Sequence, residues 1–181
     1  MDSSSDAAAI LTLARSRPPT LGGGRLVCID GPSGSGKTSL ATALARLSPE
    51  VRVVHTEAMY DGWDGLPRIG EQLTTLLRGL AAGGPGRYRR YDWHAGRYAG
   101  EVVVAPKPVL VVEGVGSWVP ALADLVTVLV WVEAPPAVRA ARALERDGVG
   151  FADRLAQWAR DETEHFVGTG AREQADVALS A

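Results

Sequence analysis

The chain contains little of several residue types, and each shortage excludes a class of site. It has one cysteine, Cys28, among 181 residues, so no disulfide can form within the chain. With only three histidines besides that cysteine, a zinc site has almost no ligands to draw on. The single cysteine and the lack of a secretory signal lead us to expect a cytoplasmic protein.

Long apolar runs and an excess of basic charge are missing as well. The apolar stretches fall far short of the about 20 residues that a membrane-spanning helix needs, so we expect no membrane partner. The chain has 19 basic and 21 acidic residues, which give a net charge of −2. Because such a chain has no basic field for nucleic acid, we expect small-molecule partners and no nucleic acid, and leave a homo-oligomer open.

Continuous Val, Leu and Ile runs alternate with segments of helical spacing. This pattern predicts an α/β fold, in which helices cover both faces of a parallel sheet. We expect residues 1–24 to be a flexible segment with a short helix at 7–15, and residues 25–181 to form one domain. The expected strands are 26–29, 51–55, 109–112, 126–132 and 175–179, and the further helices are 36–47, 68–82, 137–147 and one from about 151.

A complete phosphate-binding motif, G-x-x-x-x-G-K-[ST], spans residues 31–38 directly after the first predicted strand. A loop of this kind binds phosphate when it joins a strand to a helix, because its backbone N–H groups then point at an anion. Lys37 would reach the β- and γ-phosphates of ATP, and the Thr38 hydroxyl would hold Mg²⁺. The predicted nucleotide-binding residues are Gly31, Pro32, Ser33, Gly34, Ser35, Gly36, Lys37, Thr38 and Ser39.

Carboxylates stand at the ends of two predicted strands. Glu113 ends an apolar run and could reach the metal or its waters, although a solvent-exposed strand end would explain it as well. Glu57 follows the second strand and could accept a proton from an attacking hydroxyl or bind Mg²⁺ through water. Asp61 and Asp64 are rivals for that role.

Three arginines recur at helical spacing. Arg139, Arg142 and Arg146 fall within about 60° of one another on one face of the predicted helix. A stripe facing a nucleotide would neutralise charge on the transferring phosphoryl group. The alternative is a solvated face on which Glu145 and Asp147 are local partners.

Aromatic residues are concentrated in two segments that could contact an acceptor substrate. Tyr60, Trp63, Tyr91 and Trp93 could stack on a base or sugar, although core packing would account for each of them nearly as well. The segment 86–98, which includes Asp92, is basic and aromatic. It is better explained as a wall for the acceptor than as a nucleic-acid site.

Taken together, these residues resemble the uridine kinase family of P-loop nucleoside kinases, from residue 26 to about 179. The likeness rests on G-P-S-G-S-G-K-T, the segment 57–60, Tyr91-Asp92-Trp93, Val111-Val112-Glu113-Gly114, R-x-x-R-x-x-x-R-D from Arg139, and Ala175-Asp176-Val177. It implies a five-stranded parallel core in the order 2-3-1-4-5 and transfer of the ATP γ-phosphoryl group to a nucleoside 5′-hydroxyl. It also implies Glu57 as base, Thr38 and Glu113 at Mg²⁺, and the arginines over the phosphates.

Two departures from the family pattern favour alternatives. Glu57 stands where the family has Asp, which adds a methylene in a reaction governed by positioning. The family's ribose-holding segment has no counterpart between Trp63 and Arg68. The alternatives are a kinase for another metabolite or for a nucleoside monophosphate, and an ATP-binding module without catalysis.

Overall fold

The computed structural model describes residues 3–148, 150 and 152–181, without the side chains of Arg146 and Asp147. The helices are α1 (Ser3–Ser16), α2 (Lys37–Leu47), α3 (Ile69–Ala81), α4 (Pro136–Asp147) and α5 (Ala152–Thr169). The strands are β1 (Arg25–Asp30), β2 (Val51–His55), β3 (Gly86–Asp92), β4 (Arg97–Val104), β5 (Val109–Glu113), β6 (Val128–Glu133) and β7 (Val177–Ser180). Among the described residues, no helix combines the length and the hydropathy that a membrane-spanning helix requires.

The central sheet has five parallel strands in the order β2-β5-β1-β6-β7. Counted among the strands of this sheet alone, the order is 2-3-1-4-5, and the predicted α/β fold is confirmed. Glu113 at the end of β5 lies beside Ile29 on one side and His55 on the other. The carboxyl ends of three strands therefore meet at one edge, where parallel sheets bind their ligands.

The sheet separates two apolar cores, because successive strand residues point to opposite faces. Val27 and Ile29 of β1 pack on the face covered by α1 and α2. Leu26 and Cys28 pack on the other face, against α3 and Trp158 of α5. Burial raises the pKa of the Cys28 thiol, as expected for a cysteine that serves as a small buried apolar residue.

The N-terminal helix is longer than expected and belongs to the first of these cores. α1 begins at Ser3 instead of residue 7, and it packs against α2. Its buried residues are Ala7, Ile10, Leu11 and Ala14. Their i, i+3, i+4, i+7 spacing gives the helix one apolar face, so residues 3–16 are packed and the expectation of a flexible segment is corrected for them.

A β-hairpin occupies the segment where the sequence shows no clean period. β3 and β4 pair antiparallel in a separate two-stranded sheet, and β3 packs on α3. The pairing shifts register between Arg89 and Tyr91. Such an irregularity breaks the alternation of inward and outward residues, which explains why the periodicity failed to predict these strands.

The inner face of α5 also differs from the expected one. Of the residues predicted there, Trp158 is buried, Leu155 and Phe166 are half-buried, and Ala159 is exposed; Phe151 lies outside the described residues. The other buried residue of this helix is acidic, Glu162. The buried stripe therefore runs through positions four residues apart, which share a helix face.

Candidate active site

Glycines give the phosphate-binding loop its shape between β1 and α2. Gly31, Gly34 and Gly36 all have φ in the left-handed region, at 135°, 76° and 101°. A Cβ on Gly34 would lie 2.6 Å from the carbonyl oxygen of Arg139, so the loop touches the backbone of α4. Gly36 caps α2 without a side-chain hydrogen bond, which leaves the first N–H groups of the helix available to an anion. This cradle fits the phosphates of a nucleotide.

We expect Gly34→Ala to weaken both the fold and nucleotide binding. The new Cβ would meet backbone at 2.6 Å in a left-handed conformation, a strain of about 1–3 kcal/mol. Gly23→Ala is the matched control, because nothing lies within 4 Å of its added Cβ. Thermal unfolding and ATP titration of both variants test this. A Gly34→Ala protein that behaves like Gly23→Ala contradicts the expectation.

Lys37 bends back over its own loop. Its Nζ donates to the carbonyl oxygens of Gly31 at 2.6 Å and Pro32 at 2.9 Å, and the residue is buried. The loop forms one wall of a cavity of about 510 Å³. The predicted nucleotide-binding residues on this wall are Ser33, Gly34, Gly36, Lys37, Thr38 and Ser39.

The two predicted carboxylates, Glu57 and Glu113, line the same cavity. Glu113 is buried, accepts a hydrogen bond from the Thr38 hydroxyl at 3.2 Å, and pairs with Nδ1 of His55. That hydrogen bond to Glu113 raises the pKa of His55. Within the described ranges no group of three or more His, Cys, Asp or Glu could hold a metal. Mg²⁺ beside a nucleotide needs only one or two protein oxygens, a number that the oxygens of Thr38 and Glu113 could provide.

Within the described part of the chain, the predicted arginine stripe contributes Arg142 to the cavity lining. The Arg142 guanidinium donates to the carbonyl oxygen of Gly34 at 2.9 Å and lines the cavity. Arg139 is not among the lining residues, because its Nε donates to the carbonyl oxygen of Ala134 at 3.1 Å. The side chain of Arg146 lies outside the described part of the chain.

The cavity is also lined by four aromatic residues, Tyr60, Trp63, Trp93 and Trp158, which we call the aromatic wall. The ring of Trp63 lies 5.7 Å from that of Trp93 and 6.1 Å from that of Trp158, edge to face. The Tyr60 hydroxyl donates to the carbonyl oxygen of Val115 at 2.6 Å. Because burial raises the pKa of Tyr60 well above its ordinary value, this phenol stays protonated and serves as a wall, not a base.

Three residues that the sequence places near the acceptor substrate, Asp64, Tyr91 and Asp92, are not on the cavity lining. Asp64 is exposed, and Tyr91 packs behind Trp93 with a ring separation of 5.3 Å. Asp92 accepts hydrogen bonds from the N–H groups of His94 and Ala95, so its carboxylate stabilises the turn between β3 and β4. The rival Asp61 pairs with Arg68 outside the cavity at 2.7 Å.

Asp30, which the sequence reasoning missed, connects two loops of the site. Its fully buried carboxylate accepts the N–H groups of Gly31 at 2.8 Å and of Gly116 and Trp118 at 3.0 Å. Burial raises its pKa to about 6, against the opposing effect of these hydrogen bonds and of Lys37. The sequence contained one signal for this role, because Asp30 is an acidic residue at the end of an apolar strand, directly before the phosphate-binding motif.

The other missed residues are on the cavity lining or beside it. His55 and Glu162 contact residues of the lining, and the lining itself includes Thr56, Val115, His94, Leu155 and Trp158. His165 is not on the lining, and burial lowers its pKa. A weak signal for α5 was present, because Trp158 and Glu162 are four residues apart and therefore share a helix face.

Comparison with known proteins supports the resemblance seen in the sequence. The model of a family described as phosphoribulokinase / uridine kinase matches residues 70–154, just under half of the chain and beyond the phosphate-binding loop. A search of curated proteins finds no match. The resemblance to the uridine kinase family is thus confirmed by the family model.

Solved structures share the fold over nearly the whole chain. One, from Bacillus stearothermophilus and titled a "possible uridine kinase", is 20% identical, with 96% of this chain and 97% of that chain covered and a TM-score of 0.65. Another, from Silicibacter sp. TM1040 and titled a "putative fructose transport system kinase", is 23% identical, with 98% of each chain covered and a TM-score of 0.69. These two structures show a shared fold, and the family match supports a P-loop kinase.

Proposed function

We propose that this chain, a P-loop kinase by its fold and family match, transfers the γ-phosphoryl group of ATP to a hydroxyl of a small molecule, and that the acceptor is a nucleoside of the uridine or cytidine type. The observation that carries the proposal is one cavity with two unlike walls. One wall is a glycine loop with Lys37, Thr38 and Arg142, which suits phosphates. The other is aromatic with Glu57 at its edge, which suits a planar acceptor bearing a hydroxyl.

Five polar residues of the cavity lining have roles in the proposed reaction. Glu57 orients the acceptor hydroxyl and takes its proton as the oxygen attacks the γ-phosphorus and the bond to the β-phosphate oxygen breaks. Lys37 and Arg142 offset the negative charge of the transferring group. Thr38 and Glu113 would hold Mg²⁺, which neutralises phosphate charge when bound.

The second candidate function is that of a kinase with the same fold that acts on another metabolite. Among the described residues, no Arg or Lys belongs to the aromatic wall, and the described lining residues Lys37 and Arg142 both contact the phosphate-binding loop. A nucleoside monophosphate would need a cation for its own phosphate, so an uncharged acceptor is favoured over it. One similar structure is named for a fructose transport system kinase, so the acceptors tested below include a non-nucleoside alcohol.

An acceptor panel tests the proposal. Purified protein is assayed for ADP release from Mg²⁺-ATP with uridine, cytidine, other nucleosides, nucleoside monophosphates and non-nucleoside alcohols, including fructose. We expect release that depends on an uncharged nucleoside. Preference for another alcohol moves the assignment to the second candidate, whereas tight ATP binding with no acceptor-dependent turnover indicates the non-catalytic module.

Replacing Glu57 tests its role directly. We expect Glu57→Ala to lower kcat by about 100-fold or more, since a positioned general base contributes that much, and Glu57→Asp to retain part of the activity. Glu71→Ala is the control, because Glu71 is exposed on α3 and outside the cavity. The measurement is steady-state turnover with the best acceptor of the panel; an undiminished kcat in Glu57→Ala contradicts the role.

A further inference from the structure

Glu162 is a buried carboxylate that none of the steps above uses. It lies on α5, is 3% exposed, and one of its oxygens, Oε1, accepts two hydrogen bonds. The backbone N–H of Ser33 donates to it at 2.9 Å, and the indole N–H of Trp158 donates at 2.6 Å. The same indole N–H also lies 3.1 Å from the Ser33 hydroxyl. One carboxylate therefore contacts both walls of the cavity.

The contact on the loop side places a negative charge where an anion is to bind. Ser33 belongs to the phosphate-binding loop and lines the cavity. Its N–H already donates to Glu162, so a carboxylate occupies a donor of the anion cradle. A fixed negative charge at this position repels the phosphates of a nucleotide. Burial strengthens that repulsion, because water screens it less.

The contact on the acceptor side fixes a residue of the aromatic wall. Trp158 is buried at 7% exposure, and its ring lies 5.0 Å from that of Tyr60 and 6.1 Å from that of Trp63. Because its N–H is held by Glu162 and Ser33, the ring has one orientation relative to the loop. The position of the acceptor wall is in this way tied to the position of the donor loop.

We propose that Glu162 is a positioning residue that joins the phosphate-binding loop to the aromatic wall: its hydrogen bonds hold Trp158 in place for the acceptor, and its charge limits the affinity for ATP. The role in acceptor binding rests on the proposed kinase function. The hydrogen bonds and the charge can be separated by substitution, because glutamine keeps the accepting oxygen and removes the charge, whereas alanine removes both.

The experiment compares wild type, Glu162→Gln, Glu162→Ala, Trp158→Phe and, as a control, Glu164→Gln, whose residue is exposed two positions further along α5. ATP affinity is measured by calorimetry. We expect Glu162→Gln to bind ATP about threefold or more tightly, since one like charge is lost beside the phosphates, and Glu164→Gln to bind like wild type. Wild-type ATP affinity in Glu162→Gln overturns the part of the proposal that concerns charge.

The acceptor side has two readouts. We expect the acceptor KM to rise about tenfold in Glu162→Ala, as for the loss of a buried hydrogen bond, and to stay near wild type in Glu162→Gln. Trp158→Phe, which keeps a ring but loses the N–H, should raise KM as well without changing ATP affinity. If alanine at 162 prevents folding, Trp158→Phe and Glu162→Gln still decide the question. A wild-type KM in both Glu162→Ala and Trp158→Phe overturns the positioning role.

Quenching of tryptophan fluorescence by acrylamide needs no turnover. We expect more quenching in Glu162→Ala, because Trp158 is released, and wild-type quenching in Glu162→Gln and Glu164→Gln. Quenching in Glu162→Ala that equals wild type counts against the proposal. If wild type turns over no acceptor of the panel, the proposed function fails, while calorimetry and quenching still test the link between loop and wall.

Discussion

Lys37→Ala is expected to lower kcat/KM for ATP by about 100- to 1000-fold, the loss typical of removing one preorganised donor from developing negative charge. The lysine is buried in the loop, with its amine on the carbonyl oxygens of Gly31 and Pro32. That position lets it turn from the loop to the β- and γ-phosphates without a change of fold. The measurement is steady-state kinetics with ATP varied at saturating acceptor.

The chain offers an unusually clean control for this experiment. Its only other lysine, Lys107, is exposed in the turn before β5 and outside the cavity, so Lys107→Ala should match wild type. Lys37→Arg should not restore activity, because a planar guanidinium cannot replace a compact ammonium inside a tight loop. Thermal unfolding of each variant separates lost chemistry from lost folding. Wild-type kinetics in Lys37→Ala would contradict the proposed nucleotide site.

The conformation of the phosphate-binding loop could be predicted because its determinants are local. The motif at 31–38 specifies a loop conformation by residue type alone, since glycine is what allows φ of 76° at Gly34 and 101° at Gly36. Glu113 was predictable for a related reason. Parallel strands that end at one edge bring their terminal residues together whatever lies between them in sequence, and Glu113 does lie beside Thr38.

The aromatic wall, which we propose faces the acceptor, was harder to predict because its contacts depend on irregular and distant segments. The register shift between Arg89 and Tyr91 interrupts the alternation by which a strand is recognised. Because the sequence did not predict the hairpin, it gave no reason to assign different roles to Tyr91, Asp92 and Trp93. The hairpin separates them, because Trp93 lines the cavity, Tyr91 packs behind it and Asp92 stabilises the turn.

Buried polar contacts between remote elements carried no sequence signal strong enough to predict them. Ser33 and Glu162 are 129 positions apart, yet they form a hydrogen bond at 2.9 Å. Spacing indicates only that Trp158 and Glu162 share a face of α5. A charged residue on a helix is ordinarily exposed, so the pattern favoured solvent for Glu162. Tertiary structure decided otherwise, because the P-loop supplies the N–H that a buried carboxylate requires.

The second large effect is expected at Asp30, which holds the two loops of the site together. Asp30→Ala leaves the N–H groups of Gly31, Gly116 and Trp118 without their acceptor in a buried position. Each unsatisfied donor costs about 1–3 kcal/mol, so the free energy of unfolding should fall by about 3 kcal/mol or more, a large share of the ~5–15 kcal/mol typical of a domain. Urea unfolding at pH 7 measures it. Asp64→Ala, an exposed position, should leave the midpoint unchanged.

The pH dependence of folding stability in Asp30→Asn separates the effect of the ionisable carboxyl group from the effect of its shape. Burial raises the pKa of Asp30 to about 6 from an ordinary 3.8, so between these values the folded state binds more protons than the unfolded state. The stability contributed by this group is therefore complete below pH 3.8 and is lost as the pH rises through 6. Because asparagine does not titrate, the stability advantage of wild type over Asp30→Asn should be largest near pH 4 and shrink toward pH 7. A constant difference across that range would mean that Asp30 is ionised throughout, held so by its three N–H donors and Lys37.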